Sequence, residues 1–156
     1  MTDEHWMHVA IDAARRGLAT GQSPFGAVVV RGDELISAEH NEVWLRCDPT
    51  AHAEIVAIQR AAQRTQRIDF TGCRLYSTCE PCPMCAAAIH WARFDAVIFG
   101  ATIADAQRGG FNELTLSIDE LYRRGNSPTR IVADVLRPEC AALFDTWLAD
   151  ANRRTY

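Results

Sequence analysis

Residues 73–100 read CRLYSTCEPCPMCAAAIHWARFDAVIFG, and this stretch decides the fold class. The segment 73–78 predicts a strand, the segment 81–92 predicts a helix, and the run over 94–100 predicts a second strand. Strands that alternate with helices are typical of proteins in which helices cover a sheet. The stretch therefore predicts an α/β protein.

The rest of the chain continues this alternation in both directions. We predict further helices over 3–18, 48–66, 117–124 and 138–151, and further strands over 27–30, 35–39 and 130–135. Gly32 favours a hairpin turn between the strands at 27–30 and 35–39. Asp48 is predicted to be the N-cap of the second helix, with Pro49 at its first helical position.

The composition limits both the architecture and the function. A length of 156 residues predicts one domain, residues 1–156, and 48% hydrophobic with 23% charged residues is ordinary for a globular protein. The net charge of −4 argues against a general nucleic-acid binder. All 16 basic residues are Arg, so the chain has no lysine for a Schiff base or a Walker A motif.

The apolar pattern and the cysteine usage both indicate where the protein is located. No segment approaches the ~20 apolar residues that a membrane span needs, and the acidic start lacks the apolar core of a secretory signal. We therefore expect a cytoplasmic protein with no membrane partner. In such a chain, six clustered cysteines are more typical of metal or redox groups than of disulfides.

The strongest chemical pattern combines His52-x-Glu54 with Cys82-x-x-Cys85. Cysteines three apart in the first turn of a helix share a face, and a helix N-terminus favours the thiolate that zinc requires. Three protein ligands and one open position are typical of catalytic zinc, which lowers the pKa of its bound water to about 7. Glu54 would be close enough to carry the proton if His52 begins a helix.

The cysteines also allow three other interpretations. Cys82 and Cys85 could be a thioredoxin-like redox pair, but that assigns no role to His52 or Glu54. Cys79 could complete a closed Cys₃His shell of structural zinc, which also assigns Glu54 no role. An iron–sulfur cluster would need another thiolate after Cys85, where only alanines follow.

Several stretches together resemble the cytidine deaminase superfamily, and within it the bacterial guanine deaminase branch. They are PFGAV at 24–28, DPTAHAE at 48–54, CEPCPMC at 79–85, AIHWAR at 88–93, Gly-Phe at 110–111 and the terminal Tyr156. The motif H-x-E…P-C-x-x-C is shared by zinc nucleobase deaminases in general. The resemblance implies a three-layer α/β/α fold around a central mixed sheet of about five strands, and conversion of guanine to xanthine and ammonia.

The resemblance also implies roles for individual residues. Zinc would be held by His52, Cys82 and Cys85, with Glu54 as proton shuttle. Where the branch has an aspartate that helps to handle the leaving amine, this chain has Glu113. The residues expected to bind the base are Phe25, Asn41, Ala53, Trp91, Phe111 and Tyr156. From the residues alone, Asn41 could equally cap a turn, and the aromatic side chains could be plain core.

The implied partners are a small nucleobase and a second copy of the chain. The family forms homodimers, some with exchanged C-terminal segments, and Trp147 and Leu148 could belong to such an interface or to the core. Guanosine, isocytosine or ammeline could replace guanine as substrate. Two other functions stay open: a tRNA adenosine deaminase, which needs a basic groove, and a non-enzymatic zinc-stabilised module.

Overall fold

The computed structural model describes residues 1–156 and contains one mixed five-stranded sheet. The strands are β1 (Gly26–Arg31), β2 (Glu34–His40), β3 (Cys73–Cys79), β4 (Ala96–Ala101) and β5 (Arg130–Val132). Their spatial order is β2-β1-β3-β4-β5, in which β1 runs antiparallel to β2 and β3, whereas β3, β4 and β5 are parallel. The predicted α/β/α fold with a mixed sheet of five strands is confirmed.

Seven helices surround this sheet. They are α1 (Asp3–Ala19), α2 (Val43–Arg46), α3 (Ala53–Thr65), α4 (Pro83–Trp91), α5 (Ile103–Arg108), α6 (Ile118–Gly125) and α7 (Arg137–Ala149). None of them has the length and apolar character that crossing a bilayer would require.

Two hydrophobic clusters cover the two faces of the sheet. Val28 and Val30 of β1 belong to the cluster that includes α1 and α7, while Val29 belongs to the cluster that includes α3 and α4. Alternate residues of a strand point to opposite faces, so a strand buried on both faces is apolar at every position. This is why the β1 sequence is a continuous apolar run. Trp147 is buried in the first cluster and Leu148 is exposed.

The predicted start of the second helix at Asp48 is wrong. The Asp48 carboxylate accepts hydrogen bonds from the Thr50 backbone N–H (2.8 Å) and hydroxyl (2.6 Å), which closes a turn. The helix α3 begins only at Ala53, with His52 as its N-cap. The same side-chain chemistry that caps helices also closes such turns, and here the turn prevails.

Two short helices and several element ends also differ from the prediction, including the start of β4 at Ala96 rather than residue 94 and the end of α7 at Ala149 rather than residue 151. Helices α2 and α5, which have four and six residues, were not predicted from the sequence. Helix α4 begins at Pro83 rather than at residue 81, because Cys82 is its extended N-cap. Strand β5 ends at Val132, and Asp134 and Leu136 beyond it have positive φ angles that a strand does not allow.

Candidate metal centre and active site

Three potential metal ligands meet where α3 and α4 begin. His52 is the N-cap of α3, Cys82 is the N-cap of α4, and Cys85 is the third residue of α4. His52 Nδ1 lies 3.6 Å from the sulfur of each cysteine, and the three ligand atoms lie within 4.8 Å of one another. Two thiolate sulfurs and one imidazole nitrogen form a donor set that fits zinc.

The thiols of the two cysteines in this cluster have shifted pKa values, in opposite directions. A hydrogen bond from Cys85, together with one from His52, lowers the pKa of Cys82 to about 4 despite partial burial. The same Cys82–Cys85 hydrogen bond, together with burial, raises the pKa of Cys85 well above its ordinary value. Cys82 therefore loses its proton more readily than Cys85, and both cysteines bind a metal ion as thiolates.

Cys79 is not part of this ligand cluster. Its thiol, at the end of β3, donates to the backbone carbonyl of Thr102 at 3.5 Å. Burial raises the pKa of Cys79 well above the ordinary value, with the nearby Glu113 and Glu54 charges adding to the effect. The arrangement has three protein ligands and does not form the closed Cys₃His shell.

Glu54 is buried beside the ligands, at the second helical position of α3. Its Oε1 accepts a hydrogen bond from the Ser77 hydroxyl of β3 at 3.1 Å, and its Oε2 accepts one from the Cys85 thiol at 3.6 Å. Burial raises the pKa of Glu54, and the negative charge of Cys82 raises it further. A carboxylate in this environment takes up a proton readily, as a general base must.

Two of the three ligands, His52 and Cys82, line a narrow cleft with an inner and an outer part. The inner part, of about 20 Å³, is lined by Phe25, His52, Glu54, Cys79, Glu80, Cys82, Glu113 and Tyr156. The outer part, of about 240 Å³, is lined by His52, Cys82, Pro83, Met84, Phe111, Asn112, Glu113, Leu114 and Tyr156. The structure thus brings Phe25, Phe111, Glu113 and Tyr156 to the predicted site.

Glu113 is the second carboxylate of the cleft. It lies in the loop between α5 and α6, half-buried. Burial raises the pKa of Glu113 to about 7, and the negative charges of Cys82 and Glu54 contribute. Glu113 lines both parts of the cleft, so its side chain can contact a bound ligand.

The C-terminal tail closes one side of the same cleft. The Tyr156 hydroxyl accepts a hydrogen bond from the Asn41 side-chain amide at 2.6 Å, and the Tyr156 ring lies 5.8 Å from the His52 ring. Trp44 of α2 donates to the Arg154 carbonyl at 2.9 Å, and the Arg154 guanidinium lies over the Trp44 ring. In this structure the tail covers the cleft of its own chain.

Asn41 and Ala53, which were predicted to bind the base, do not line the cleft. The side-chain Oδ1 of Asn41 accepts a hydrogen bond from the Val43 backbone N–H at 3.1 Å, so the side chain caps this turn. The side-chain NH₂ of Asn41 donates to the Tyr156 hydroxyl. Ala53 is buried at the start of α3 and does not line the cleft.

Trp91 does not lie at the cleft of this chain. It ends α4, roughly 12 Å along the helix from the first helical residue beside Cys82, and its side chain is 82% exposed. It lines surface depressions with His90 and Phe94 instead. The family motif predicted Trp91 as a base-stacking wall, but the helix carries its side chain away from the metal ligands.

Glu80 is a residue of the cleft that was not predicted from the sequence, although it belongs to the motif CEPCPMC. The side chain lines the inner cleft and accepts hydrogen bonds from the backbone N–H groups of Ile103 and Ile118. An acidic residue at the end of a buried strand was the available signal. Its partners could not be inferred, because they lie 23 and 38 residues away.

Comparisons with known proteins agree with this geometry. Residues 1–101 match the family model of the cytidine and deoxycytidylate deaminase zinc-binding region. The chain is 36% identical to the guanine deaminase of Bacillus subtilis, with all of both chains covered. It is 41% identical to the tRNA-specific adenosine deaminase of Aquifex aeolicus over 77% of this chain and 78% of the relative.

A solved structure of guanine deaminase from Nitrosomonas europaea superposes with a TM-score of 0.88 at 26% identity, covering 96% of this chain and 86% of that chain. Fold and site together define a zinc-dependent deaminase. The chain belongs to the cytidine and deoxycytidylate deaminase family.

Proposed function

We propose that the protein is a guanine deaminase, which hydrolyses the amino group at C2 of free guanine to give xanthine and ammonia. The observation that carries the proposal is the buried Glu54 carboxylate beside the three-ligand cluster, in a cleft covered by the tail. The full-length likeness to the Bacillus subtilis guanine deaminase supports the choice of guanine. Related structures were solved with 8-azaguanine and with 2,6-diaminopurine.

The proposed chemistry assigns one zinc ion to each chain, held by His52, Cys82 and Cys85. When bound, zinc supplies a water molecule that is a strong nucleophile at neutral pH. Glu54 takes one proton from the attacking water and passes it to a ring nitrogen as the C2–O bond forms. It then takes the second proton from the hydroxyl on C2 and passes it to the amino group, which leaves as ammonia when the C2–N bond breaks. The buried position of Glu54 keeps this proton from bulk water.

The remaining residues of the cleft bind and enclose the base. Phe25 and Phe111 meet edge to face, with ring centroids 4.8 Å apart, and supply apolar walls. Glu113 is placed to hydrogen-bond the amino group that leaves as ammonia. Tyr156 covers the cleft, which favours a free base over a nucleoside, because a ribose would have to displace the tail.

The test measures ammonia released from guanine, guanosine, adenine, cytosine, isocytosine and ammeline by the zinc-loaded protein. We expect guanine to be the preferred substrate. The Glu54→Ala variant should lose at least about 10³-fold in kcat while retaining one zinc per chain, because Glu54 is not a ligand. Glu120→Ala, which removes an exposed carboxylate on α6, is the control and should keep full activity. Absence of turnover with every compound would contradict the proposal.

A tRNA adenosine deaminase is the second candidate, and the 41% identity with the Aquifex aeolicus enzyme is the observation that favours it. Such an enzyme needs a basic surface for phosphates, and this chain has a net charge of −4. Salt-dependent binding of tRNA with inosine formation would support this candidate. Guanine turnover without tRNA binding would exclude it.

We also propose that the protein is a cytoplasmic homodimer, as the family resemblance implies. Sedimentation of the purified protein tests the dimer. Exchange of tails is tested by mixing Glu54→Ala with a variant truncated after Asn152. The first variant supplies an intact tail and the second supplies an intact Glu54. A mixed dimer is therefore active only if the tail of one protomer covers the cleft of its partner.

A further inference from the structure

The Glu80 carboxylate joins the first turns of two helices. Its Oε2 accepts a hydrogen bond from the Ile103 backbone N–H of α5 at 3.3 Å, and its Oε1 accepts one from the Ile118 backbone N–H of α6 at 3.0 Å. Ile103 and Ile118 are the first residues of these helices. One side chain therefore satisfies two backbone donors that a helix cannot pair internally.

Both helices also have their own caps, which leave these donors free. Thr102 caps α5 by accepting from the N–H of its third residue, Asp105, and Ser117 caps α6 by accepting from the N–H of Glu120. Neither cap binds the first N–H of its helix. Because a negative charge is favourable at a helix N-terminus, the Glu80 carboxylate is stabilised by both helices at once.

The two helices flank the loop that forms one wall of the cleft. This loop, residues 109–117, carries Phe111 and Glu113. It is fastened to α5 by a hydrogen bond from the Phe111 N–H to the Ala106 carbonyl at 3.3 Å. Within residues 111–117 the backbone makes one hydrogen bond, from the Glu113 N–H to the Phe111 carbonyl. The loop is therefore held by the packing of the Phe111 ring in the hydrophobic core and, for its backbone, by its two ends, each of which joins a helix whose first N–H donates to Glu80.

Glu80 is itself held next to the metal ligands. Its backbone N–H donates to the Ala101 carbonyl at 2.8 Å, and it precedes Cys82 by two residues. We propose that Glu80 is a positioning residue, which holds the loop bearing Glu113 and Phe111 over the metal ligands. The proposal rests on the proposed function only for the activity part of its test.

The first measurement is backbone hydrogen exchange in the Glu80→Gln variant. Gln has the same length, but only one of its two terminal atoms can accept a hydrogen bond, so one helix loses its partner. We expect exchange of the hydrogen-bonded amides of Gly110, Phe111 and Glu113 to become about 10- to 100-fold faster, with zinc content unchanged. Glu80→Asp, which retains the charge but is too short to reach both helices, should behave in the same way if Glu80→Gln folds poorly.

Thr2→Ala is the matched control. It removes the N-cap hydrogen bond of α1, which the His5 backbone N–H donates to the Thr2 hydroxyl oxygen, and so weakens a helix of another part of the fold. Exchange of the Gly110, Phe111 and Glu113 amides should not change in this variant. If it rises equally in Thr2→Ala, or stays at the wild-type rate in Glu80→Gln, the proposal is overturned.

The second measurement is activity with guanine in a double-mutant cycle. If Glu80 acts through Glu113, Glu80→Gln should lower kcat/KM about 10-fold or more, and adding it to Glu113→Gln should cause little further loss. Multiplicative losses would show an unrelated structural role. If the wild-type protein does not turn over guanine, the proposed function fails, and hydrogen exchange alone decides the role of Glu80.

Discussion

At the residue scale, the chemistry depends on the surroundings of one carboxylate. Glu54 is 6% exposed, and its two oxygens accept hydrogen bonds from side chains of two different elements, Ser77 and Cys85. Burial without these partners would make the charged form very costly. The Ser77 hydroxyl holds the carboxylate in one orientation, while burial and the nearby Cys82 charge raise its pKa, which favours taking up a proton.

The first prediction concerns Ser77. The Ser77→Ala variant removes the hydrogen bond to Glu54 without touching a metal ligand, so we expect kcat to fall about 10-fold with zinc content unchanged. Ser37→Ala is the control, because the Ser37 hydroxyl is also buried and donates to the Ala57 carbonyl at 2.9 Å, away from the cleft. Equal losses of kcat in both variants would show that Ser77 acts only through stability.

At the element scale, helix N-termini have two different uses in this protein. The N-cap residues of α3 and α4 are His52 and Cys82, and neither makes a side-chain cap hydrogen bond. The N-cap side chains of these two helices are metal ligands instead of helix caps. The helix dipole at such an N-terminus favours a thiolate. Helix α5, by contrast, has a complete capping box between Thr102 and Asp105.

The second prediction concerns Asp105 and the pH dependence of stability. Burial alone would raise the pKa of Asp105, but hydrogen bonds from Thr102 and ion pairs with Arg108 and Arg137 lower it to about 2, from an ordinary value of 3.8. Since the pKa is lowered on folding, the stabilisation is complete above the ordinary value and is lost as the pH falls from about 4 to about 2. Asp105→Asn should therefore lower the free energy of unfolding by about 2 kcal/mol at neutral pH.

Urea unfolding over this pH range checks the prediction. The difference between the wild type and Asp105→Asn should shrink as the pH falls below about 4, because the wild type loses the same charge. Asp134→Asn removes the other, exposed ion-pair partner of Arg137 and should change stability by well under 1 kcal/mol. A difference that does not depend on pH would contradict the role given to the Asp105 charge.

At the scale of the whole molecule, the metal ligands join parts of the chain that are far apart in sequence. His52 precedes Cys82 by 30 residues, and the segment between them includes α3 and β3. The ligands begin two helices that pack on the same hydrophobic cluster. A bound ion therefore fastens these two helix ends to each other and stabilises the folded state over the unfolded one.

The third prediction concerns removal of zinc. We expect chelation to lower Tm by about 10 °C, since several kcal/mol of binding energy are lost and each kcal/mol corresponds to roughly 2–4 °C in a chain of this size. Readdition of zinc should restore Tm. The His52→Ala variant, which lacks one ligand, should respond little to the chelator. A wild-type Tm that stays constant while metal analysis shows loss of zinc would contradict this prediction.

The predictions made from the sequence succeeded where the signal is local. The apolar run at Val28–Val30 predicts a buried strand, and the spacing of Cys82 and Cys85 predicts two sulfurs on one side of a helix start. Such patterns reflect the geometry of one strand or one helix turn, which the neighbouring residues impose. The start of α3 was wrong because Asp48 can cap a helix or close a turn, and local sequence does not decide between them.

The sequence by itself determined the fold class and the group of residues suited to bind zinc, because periodicity and ligand spacing are properties of short segments. Only the tertiary structure decided which distant residues complete the cleft. It brought Tyr156 to Asn41 across 115 residues, gave Glu80 its two helix partners and left Trp91 on the surface. These contacts arise from how helices and strands pack against one another, and packing depends on all the elements together rather than on any single stretch.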